Sequence, residues 1–121
     1  MGRGPTETKR RTVLVVEDDA DLLATYEVWL AAWDDVTVRS EVDGQAALTA
    51  VDDADVLVLD RKLPGLSGPE VLDRLGADRP AVVVVSAYQP DAHVREGDVD
   101  AYLVKPVTRE RFLDAVRGTL P

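Results

Sequence analysis

The chain contains the stretch Val56-Leu57-Val58-Leu59-Asp60, in which four apolar residues end at an acid and a turn follows at once. A second apolar run, Val13-Leu14-Val15-Val16, ends in the same way at Glu17-Asp18-Asp19. Short runs rich in valine and leucine are typical of strands buried in a parallel sheet. Because parallel strands put their carboxyl ends at one edge, we expect these acids to lie close together. Carboxylates that crowd together repel one another, and a hard divalent cation is the usual means of joining them.

Strand and helix signals alternate from Thr12 to the end of the chain. Strands are predicted over 12–17, 36–39, 55–59, 81–85 and 101–104. Helices are predicted from Asp19 or Asp21 to about Trp33, from Asp43-Gly44, from Ser67, over 90–96 as a short weak helix, and from Thr108. Alternation of this kind predicts an α/β fold, in which helices cover both faces of a parallel five-stranded sheet.

The length and composition indicate one globular domain. The chain has 121 residues, of which 45% are hydrophobic and 31% are charged. Residues 1–11 are rich in glycine, proline, threonine and charge, so we expect a mobile N-terminal arm followed by a domain over 12–121. No apolar stretch is long enough to cross a membrane.

The composition excludes several kinds of site. There is no cysteine, which excludes disulfides and thiolate metal sites, and a single histidine excludes a multi-histidine metal centre. A net charge of −9 leaves no basic face for nucleic acid. Three lysines and many aspartates suit a high-salt cytoplasm, although an ordinary acidic protein of a high-GC genome is the alternative.

The four predicted strand ends supply acids, a hydroxyl and an ammonium: Glu17 and Asp18, then Asp60, Ser86 and Lys105. Each of these residues alone has an ordinary explanation, such as a turn former, a helix cap or a solvated charge. Together they suit the transfer of a phosphoryl group to a carboxylate. In that chemistry a carboxylate acts as the nucleophile, a metal and an ammonium neutralise phosphoryl oxygens, and a hydroxyl donates to another oxygen.

From Thr12 to Leu120 the chain resembles the receiver domains of two-component response regulators. The resemblance rests on Val-Leu-Val-Val-Glu-Asp-Asp at 13–19, Leu-Asp-Arg-Lys-Leu-Pro-Gly-Leu-Ser-Gly at 59–68, Val-Val-Val-Val-Ser-Ala at 82–87 and Tyr-Leu-Val-Lys-Pro-Val at 102–107. The second and fourth motifs look most like receivers of halophilic archaeal regulators. The family implies a flavodoxin-like, CheY-like (βα)5 fold with strand order 2-1-3-4-5.

By this resemblance Asp60 is the phosphoacceptor in a reaction that requires Mg²⁺. The family assigns further roles to six positions: metal binding by Asp18 directly, by Glu17 through water and by the backbone carbonyl of Lys62, phosphoryl contact by Ser86 and Lys105, and a switch aromatic at Tyr102. A cis peptide is expected between Lys105 and Pro106.

The resemblance also implies the partners. The phosphoryl group would come from a sensor histidine kinase in the cytoplasm. The domain would be a signalling phosphoacceptor and not an enzyme, although it would catalyse its own phosphorylation and dephosphorylation. Phosphorylation would remodel the face made by the fourth predicted helix, the fifth strand and the last helix, which allows a homodimer. We expect no contact of this domain with nucleic acid or a membrane.

The residues weigh against other proteins that use similar sheets. A dehalogenase-type phosphatase needs a second aspartate where this chain has Lys62, and a nucleotide-binding switch needs a glycine-rich loop where it has Glu17-Asp18-Asp19. A flavodoxin would not place acids beside its phosphate. A receiver-like interaction module that no longer uses phosphate remains the alternative.

The pair Arg61-Lys62 departs from many receivers. Lys62 could pair with Glu17 or the phosphoryl group and so alter the lifetime of phosphorylation, or it could extend into solvent.

Overall fold

The computed structural model describes residues 10–121, which fold into a single parallel sheet with helices on both faces. The strands are β1 Arg11–Val16, β2 Val36–Glu41, β3 Val56–Leu59, β4 Ala81–Ser86 and β5 Ala101–Val104. The helices are α1 Ala20–Leu30, α2 Gly44–Ala50, α3 Gly68–Arg74 and α4 Arg109–Thr119, with short 3-10 helices at Val51–Asp53 and Glu96–Asp98.

The strand order is β2-β1-β3-β4-β5, and every pairing is parallel. The predicted flavodoxin-like order is therefore confirmed. The central strands β1, β3 and β4 have helices over both faces, which explains why their sequences are continuous apolar runs.

Side chains at the carboxyl edge fix where three of the helices begin. The Asp19 carboxylate accepts the backbone N–H groups of Asp21 and Leu22 and so caps α1. Ser67 and Glu70 form a reciprocal capping box at α3, and the Thr108 hydroxyl caps α4. These caps satisfy N–H groups that have no partner within the helix, so the strand ends lead directly into helices.

The core lies on both faces of the sheet. One face packs against α2 and α3, with Val71 and Ala47 fully buried among the inward side chains of the strands. The other packs against α1 and α4, where the Tyr26 ring stacks on Phe112 with ring centroids 4.7 Å apart. The Phe112 side chain is completely buried, and removing it from water stabilises the fold by about 2–3 kcal/mol. This contact holds α4 on the sheet.

The prediction of a helix over 90–96 is wrong. The segment 87–100 contains no α-helix, only bends and the 3-10 helix Glu96–Asp98. The Asp91 carboxylate accepts the N–H groups of His93 and Val94, and the Asp91 N–H donates to the Val94 carbonyl at 2.9 Å, so the chain closes a turn instead of continuing as a helix. Val94 and Val99 anchor the segment in the core, but they stand five residues apart and give it no helical apolar stripe.

Several predicted boundaries also shift by one to three residues; β2, for example, continues to Glu41, two residues beyond its predicted end. The first strand begins at Arg11, one residue before the predicted domain start, and α1 ends at Leu30, three residues before Trp33. Of the predicted arm, residues 1–9 lie outside the described residues. Arg10 is described, and its guanidinium donates to the Val36 carbonyl at 2.8 Å.

Candidate functional site

The strand register brings the predicted site residues to one level of the sheet edge. Val16 of β1 is paired with Leu59 of β3, so the residues that follow them, Glu17 and Asp60, emerge side by side. Ser86 ends β4 opposite Val104 of β5, and Lys105 follows Val104. The Lys105-Pro106 peptide bond is cis, as expected. The topology therefore gathers the four strand ends that the sequence singled out.

The Lys105 ammonium lies between two carboxylates. Its Nζ is 3.0 Å from Glu17 Oε1 and 3.1 Å from Asp60 Oδ2. Burial alone would lower the pKa of Lys105, but the hydrogen bonds to Glu17 and Asp60 raise it above its ordinary value. This ammonium is consequently a fixed positive charge beside the Asp60 carboxylate.

Three carboxylates meet at this point, from Glu17, Asp18 and Asp60. They each offer an oxygen within 4.8 Å of the others, and within the described part of the chain this is the one such group of acids or histidines. Burial raises the pKa of Glu17 to about 7, although the hydrogen bonds from Lys105 and the Asp19 N–H lower it. An all-oxygen donor set that holds more negative charge than one lysine balances fits a hard cation such as Mg²⁺.

Asp60 is oriented by its own turn as well as by Lys105. Its Oδ1 accepts the backbone N–H of Lys62 at 3.2 Å, and the side chain is almost fully buried. The other oxygen, Oδ2, faces the Lys105 ammonium. A carboxylate held in this way keeps one geometry, as a nucleophile in a displacement at phosphorus requires.

Ser86 and Tyr102 lie on the adjoining side of the site. Ser86 is fully buried, and its Oγ accepts the Tyr88 N–H at 3.0 Å. The Tyr102 hydroxyl donates to the Tyr88 carbonyl at 2.6 Å. The main chain at Tyr88 therefore connects the predicted switch hydroxyl to the predicted switch aromatic.

Lys62 does not make the predicted pair with Glu17. Its side chain is exposed, and it forms no ion pair with any residue that the structure describes. Lys105, which follows β5, makes the ion pair with Glu17 instead. Lys62 nevertheless lines the same cleft of about 450 Å³ as Glu17, Asp60 and Lys105, so its proposed action on a phosphoryl group stays a prediction.

Sequence reasoning missed the direction taken by Arg61. Its side chain is 9% exposed and reaches the segment after β4. Nη1 donates to the Tyr102 hydroxyl at 3.1 Å and to the Gln89 carbonyl at 3.2 Å, and Nη2 lies 3.1 Å from both carboxylate oxygens of Asp91. Nε is buried without a hydrogen-bond partner among the described residues, which costs about 1–3 kcal/mol. Nothing in a single sequence marks this arginine as buried.

Gly68 also contributes to the site in a way that the sequence did not reveal. A Cβ atom there would lie 2.6 Å from the Arg61 Cα, far inside contact distance. The Gly68 N–H donates to the Arg61 carbonyl at 2.8 Å, which closes the loop that follows Asp60. The close approach of α3 to this loop therefore requires glycine.

Comparison with known proteins shows the family of the chain. The family model described as the response regulator receiver domain matches residues 13–117. The chain belongs to the response regulator receiver domain family, and it is thus a signalling domain of two-component systems. The predicted resemblance to receivers is confirmed.

Relatives in curated proteins include a regulator of Haloferax volcanii and the transcriptional regulatory protein PrrA of Mycobacterium tuberculosis. The first is 38% identical over 91% of this chain, and the second is 36% identical over 89%. The Haloferax volcanii match confirms the expected likeness to halophilic archaeal regulators. The chain spans 19% of the length of the first relative and 49% of the second.

Solved structures show the same fold. A CheY-like receiver domain of Methanospirillum hungatei has a TM-score of 0.77 at 21% identity, covering 91% of this chain and 93% of that one. The response regulator TrrA of Thermotoga maritima has a TM-score of 0.79 at 22% identity, covering 91% and 99% respectively.

Among residues 10–121, no helix is both long enough and apolar enough to span a membrane.

Proposed function

We propose that this domain accepts a phosphoryl group on Asp60 from a sensor histidine kinase. The proposal rests on the groups around the Asp60 carboxylate. The Lys105 ammonium is 3.1 Å away, and Glu17 and Asp18 each offer an oxygen within 4.8 Å. The buried Ser86 hydroxyl lies at the end of the next strand. A purely structural acid at a strand end would not need these three partners together.

In this proposal an Asp60 oxygen attacks the phosphorus as the bond from phosphorus to the donor nitrogen or oxygen breaks. The Lys105 ammonium and the Ser86 hydroxyl then donate to oxygens of the transferred group, which spreads its negative charge over fixed donors. Attack by water on the same phosphorus returns the Asp60 carboxylate and releases inorganic phosphate. The domain thereby promotes both its phosphorylation and its dephosphorylation.

Glu17, Asp18 and Asp60 would hold Mg²⁺ through their side chains, and the backbone carbonyl of Lys62 would be a further ligand. Bound Mg²⁺ would supply positive charge to the phosphoryl oxygens. Support comes from the oxygen-only donor set and from the TrrA relative, whose structure is a complex with Mg²⁺ and BeF.

The signal would leave through the surface made by the segment 87–100, β5 and α4, which we call the output surface. Ser86 and Tyr102 are both linked to Tyr88 at the start of that segment, so a shift of Ser86 toward a phosphoryl group would move it. The segment has few buried side chains, which suits a part of the fold that rearranges. A homodimer through the output surface would be one way of reading the change.

The proposal is tested by labelling with acetyl phosphate, followed by the mass of the intact protein. We expect the native chain to gain one phosphoryl group with Mg²⁺ and none with a chelator. Asp60→Asn should gain none, and the control Asp78→Asn, which removes an exposed acid away from the site, should be labelled like the native chain. A native chain that is never labelled by acetyl phosphate or by histidine kinases would instead support an interaction module that does not use phosphate.

A further inference from the structure

We propose that Arg61 is a positioning residue that clamps the start of the output surface in its resting arrangement. Through its ion pair with Asp91, Arg61 sets how readily the site switches. This inference rests on the proposed function, because it concerns the step that follows phosphoryl transfer to Asp60. The main chain of Arg61 is next to Asp60, but its guanidinium lies against the segment after β4.

The contacts of Arg61 converge on one short segment. The guanidinium holds the Gln89 carbonyl, the Asp91 carboxylate and the Tyr102 hydroxyl, all at 3.1–3.2 Å. Its Cζ atom also lies 5.7 Å from the centre of the Tyr88 ring. One side chain thus binds three positions of the segment after β4 together with the aromatic residue of β5.

The other end of Arg61 is fixed beside the phosphoacceptor. The carbonyl of Arg61 accepts the Gly68 N–H at 2.8 Å, and no Cβ atom would fit at Gly68. The main chain of Arg61 is therefore held between Asp60 and α3. Since the main chain is anchored, only the side chain of Arg61 can follow a movement of Gln89 and Asp91, and a movement beyond its reach breaks their bonds to the guanidinium.

Switching would work against this clamp. In the resting arrangement the Ser86 hydroxyl accepts the Tyr88 N–H at 3.0 Å. A Ser86 hydroxyl drawn to a phosphoryl group would release the Tyr88 main chain, and the Arg61 contacts would then be what retains the segment. Because the Arg61 side chain is only 9% exposed, leaving its guanidinium without Asp91 would leave a buried charge unpaired. The ion pair therefore favours the resting arrangement.

The test measures beryllofluoride binding, which imitates the phosphoryl group, at a fixed Mg²⁺ concentration. We expect Arg61→Met and Asp91→Asn to bind beryllofluoride about five- to tenfold more tightly than the native chain, with unchanged Mg²⁺ affinity. Asp91→Asn is the gentler variant, because an asparagine carbonyl can still accept the N–H groups of His93 and Val94. Arg61→Lys, which keeps the charge but loses the planar fork, should fall between the native chain and Arg61→Met.

The matched control is Arg79→Met. Arg79, which precedes β4, pairs with Asp100 at 3.0 Å. Asp100 is the last residue of the same segment, at the opposite end from Asp91. Its loss should change beryllofluoride affinity by less than about twofold, since it does not contact the switch residues. The Arg61→Met/Asp91→Asn double variant should bind no more tightly than Arg61→Met, because Arg61→Met already removes the ion pair with Asp91.

The outcomes separate the two proposals. A native chain that does not bind beryllofluoride would remove the proposed function and this inference with it. Native binding with equal affinity in Arg61→Met and Asp91→Asn would leave the proposed function intact and overturn the clamp. Weaker binding in both variants would also overturn it, because Arg61 would then stabilise the switched arrangement.

Discussion

At the scale of single residues, the site is a balance between three carboxylates and one partly buried ammonium. Lys105 bridges Glu17 and Asp60, while Asp18 is exposed at the edge of the cluster. The acids could be predicted because each follows an apolar strand, and strand ends of a parallel sheet share an edge. The basic residue that pairs with these acids could not be predicted, because Lys62 and Lys105 are both near the strand ends.

Lys62 is expected to act on the site through its charge at the mouth of the cleft. Replacement by alanine removes a positive charge near the acid cluster, so Mg²⁺ affinity should rise about two- to fivefold. The half-life of phosphorylated Asp60 should fall by a similar factor, because the phosphoryl group loses a nearby cation. Mg²⁺ titration and the decay of the labelled protein measure the two effects.

Lys62→Arg is the control, because it keeps the charge in the same place. It should behave like the native chain in both measurements. If Lys62→Ala alters neither the Mg²⁺ affinity nor the half-life, the side chain simply extends into solvent.

Arg61 shows where prediction from residues stops. An arginine after a strand end is ordinarily read as solvated, and only the folded chain shows its guanidinium against Asp91 and Tyr102. Those partners lie 30 and 41 residues further along the chain. No local pattern links positions so far apart, so tertiary structure alone reveals the contact.

At the scale of elements, the segment 87–100 is the main difference from the sequence prediction. The sequence predicted a short helix over 90–96, but the Asp91 N–H donates to the Val94 carbonyl at 2.9 Å, a bond that an α-helix does not contain. The segment is held by Val94 and Val99 in the core and by Arg61 and Arg79 at its ends. At the end of the segment, Asp100 is paired with Arg79.

The closeness of α3 to the loop after Asp60 gives a second prediction. Gly68→Ala should place a methyl group against the Arg61 main chain and displace the loop that orients Asp60. We expect the free energy of unfolding to fall by about 1–3 kcal/mol. The rate of labelling by acetyl phosphate should fall about tenfold, which mass measurements over time would show.

Gly118→Ala provides the matched control. Gly118 lies in α4, is exposed and has open space around its Cα. Alanine there should raise the free energy of unfolding by about 0.5–1 kcal/mol and leave labelling unchanged. Normal labelling of Gly68→Ala would contradict the role given to this close approach.

At the scale of the whole molecule, the fold was largely predictable from the apolar runs and from the capping residues that separate them. Val13–Val16, Val56–Leu59 and Val82–Val85 are apolar runs too short for helices, and capped helices separate them. Alternation of such elements leaves few topologies, because crossovers between parallel strands are right-handed. The order of the strands came from the family resemblance, since local patterns do not fix which strands are neighbours.

The net charge of −9 predicts that salt stabilises the fold. Potassium chloride screens repulsion between surface carboxylates, so Tm should rise by about 5 °C or more between ~0.1 M and ~2 M salt. A variant with Asp34, Asp52 and Asp78 changed to asparagine should have a higher Tm at low salt and a flatter response. These three aspartates are exposed and form no ion pair with the described residues. A Tm that is constant or falls with salt would contradict this account of the acidic surface.

The most direct test of the central claim locates the phosphoryl group itself. Borohydride reduces an aspartyl phosphate to homoserine, and mass spectrometry of peptides then identifies the modified position. After treatment with acetyl phosphate and Mg²⁺, we predict homoserine at position 60, carried by the peptide that contains the end of β3. Homoserine at another acid, such as Asp18, or no homoserine in a chain that gained phosphoryl mass, would contradict the assignment of Asp60 as the phosphoacceptor.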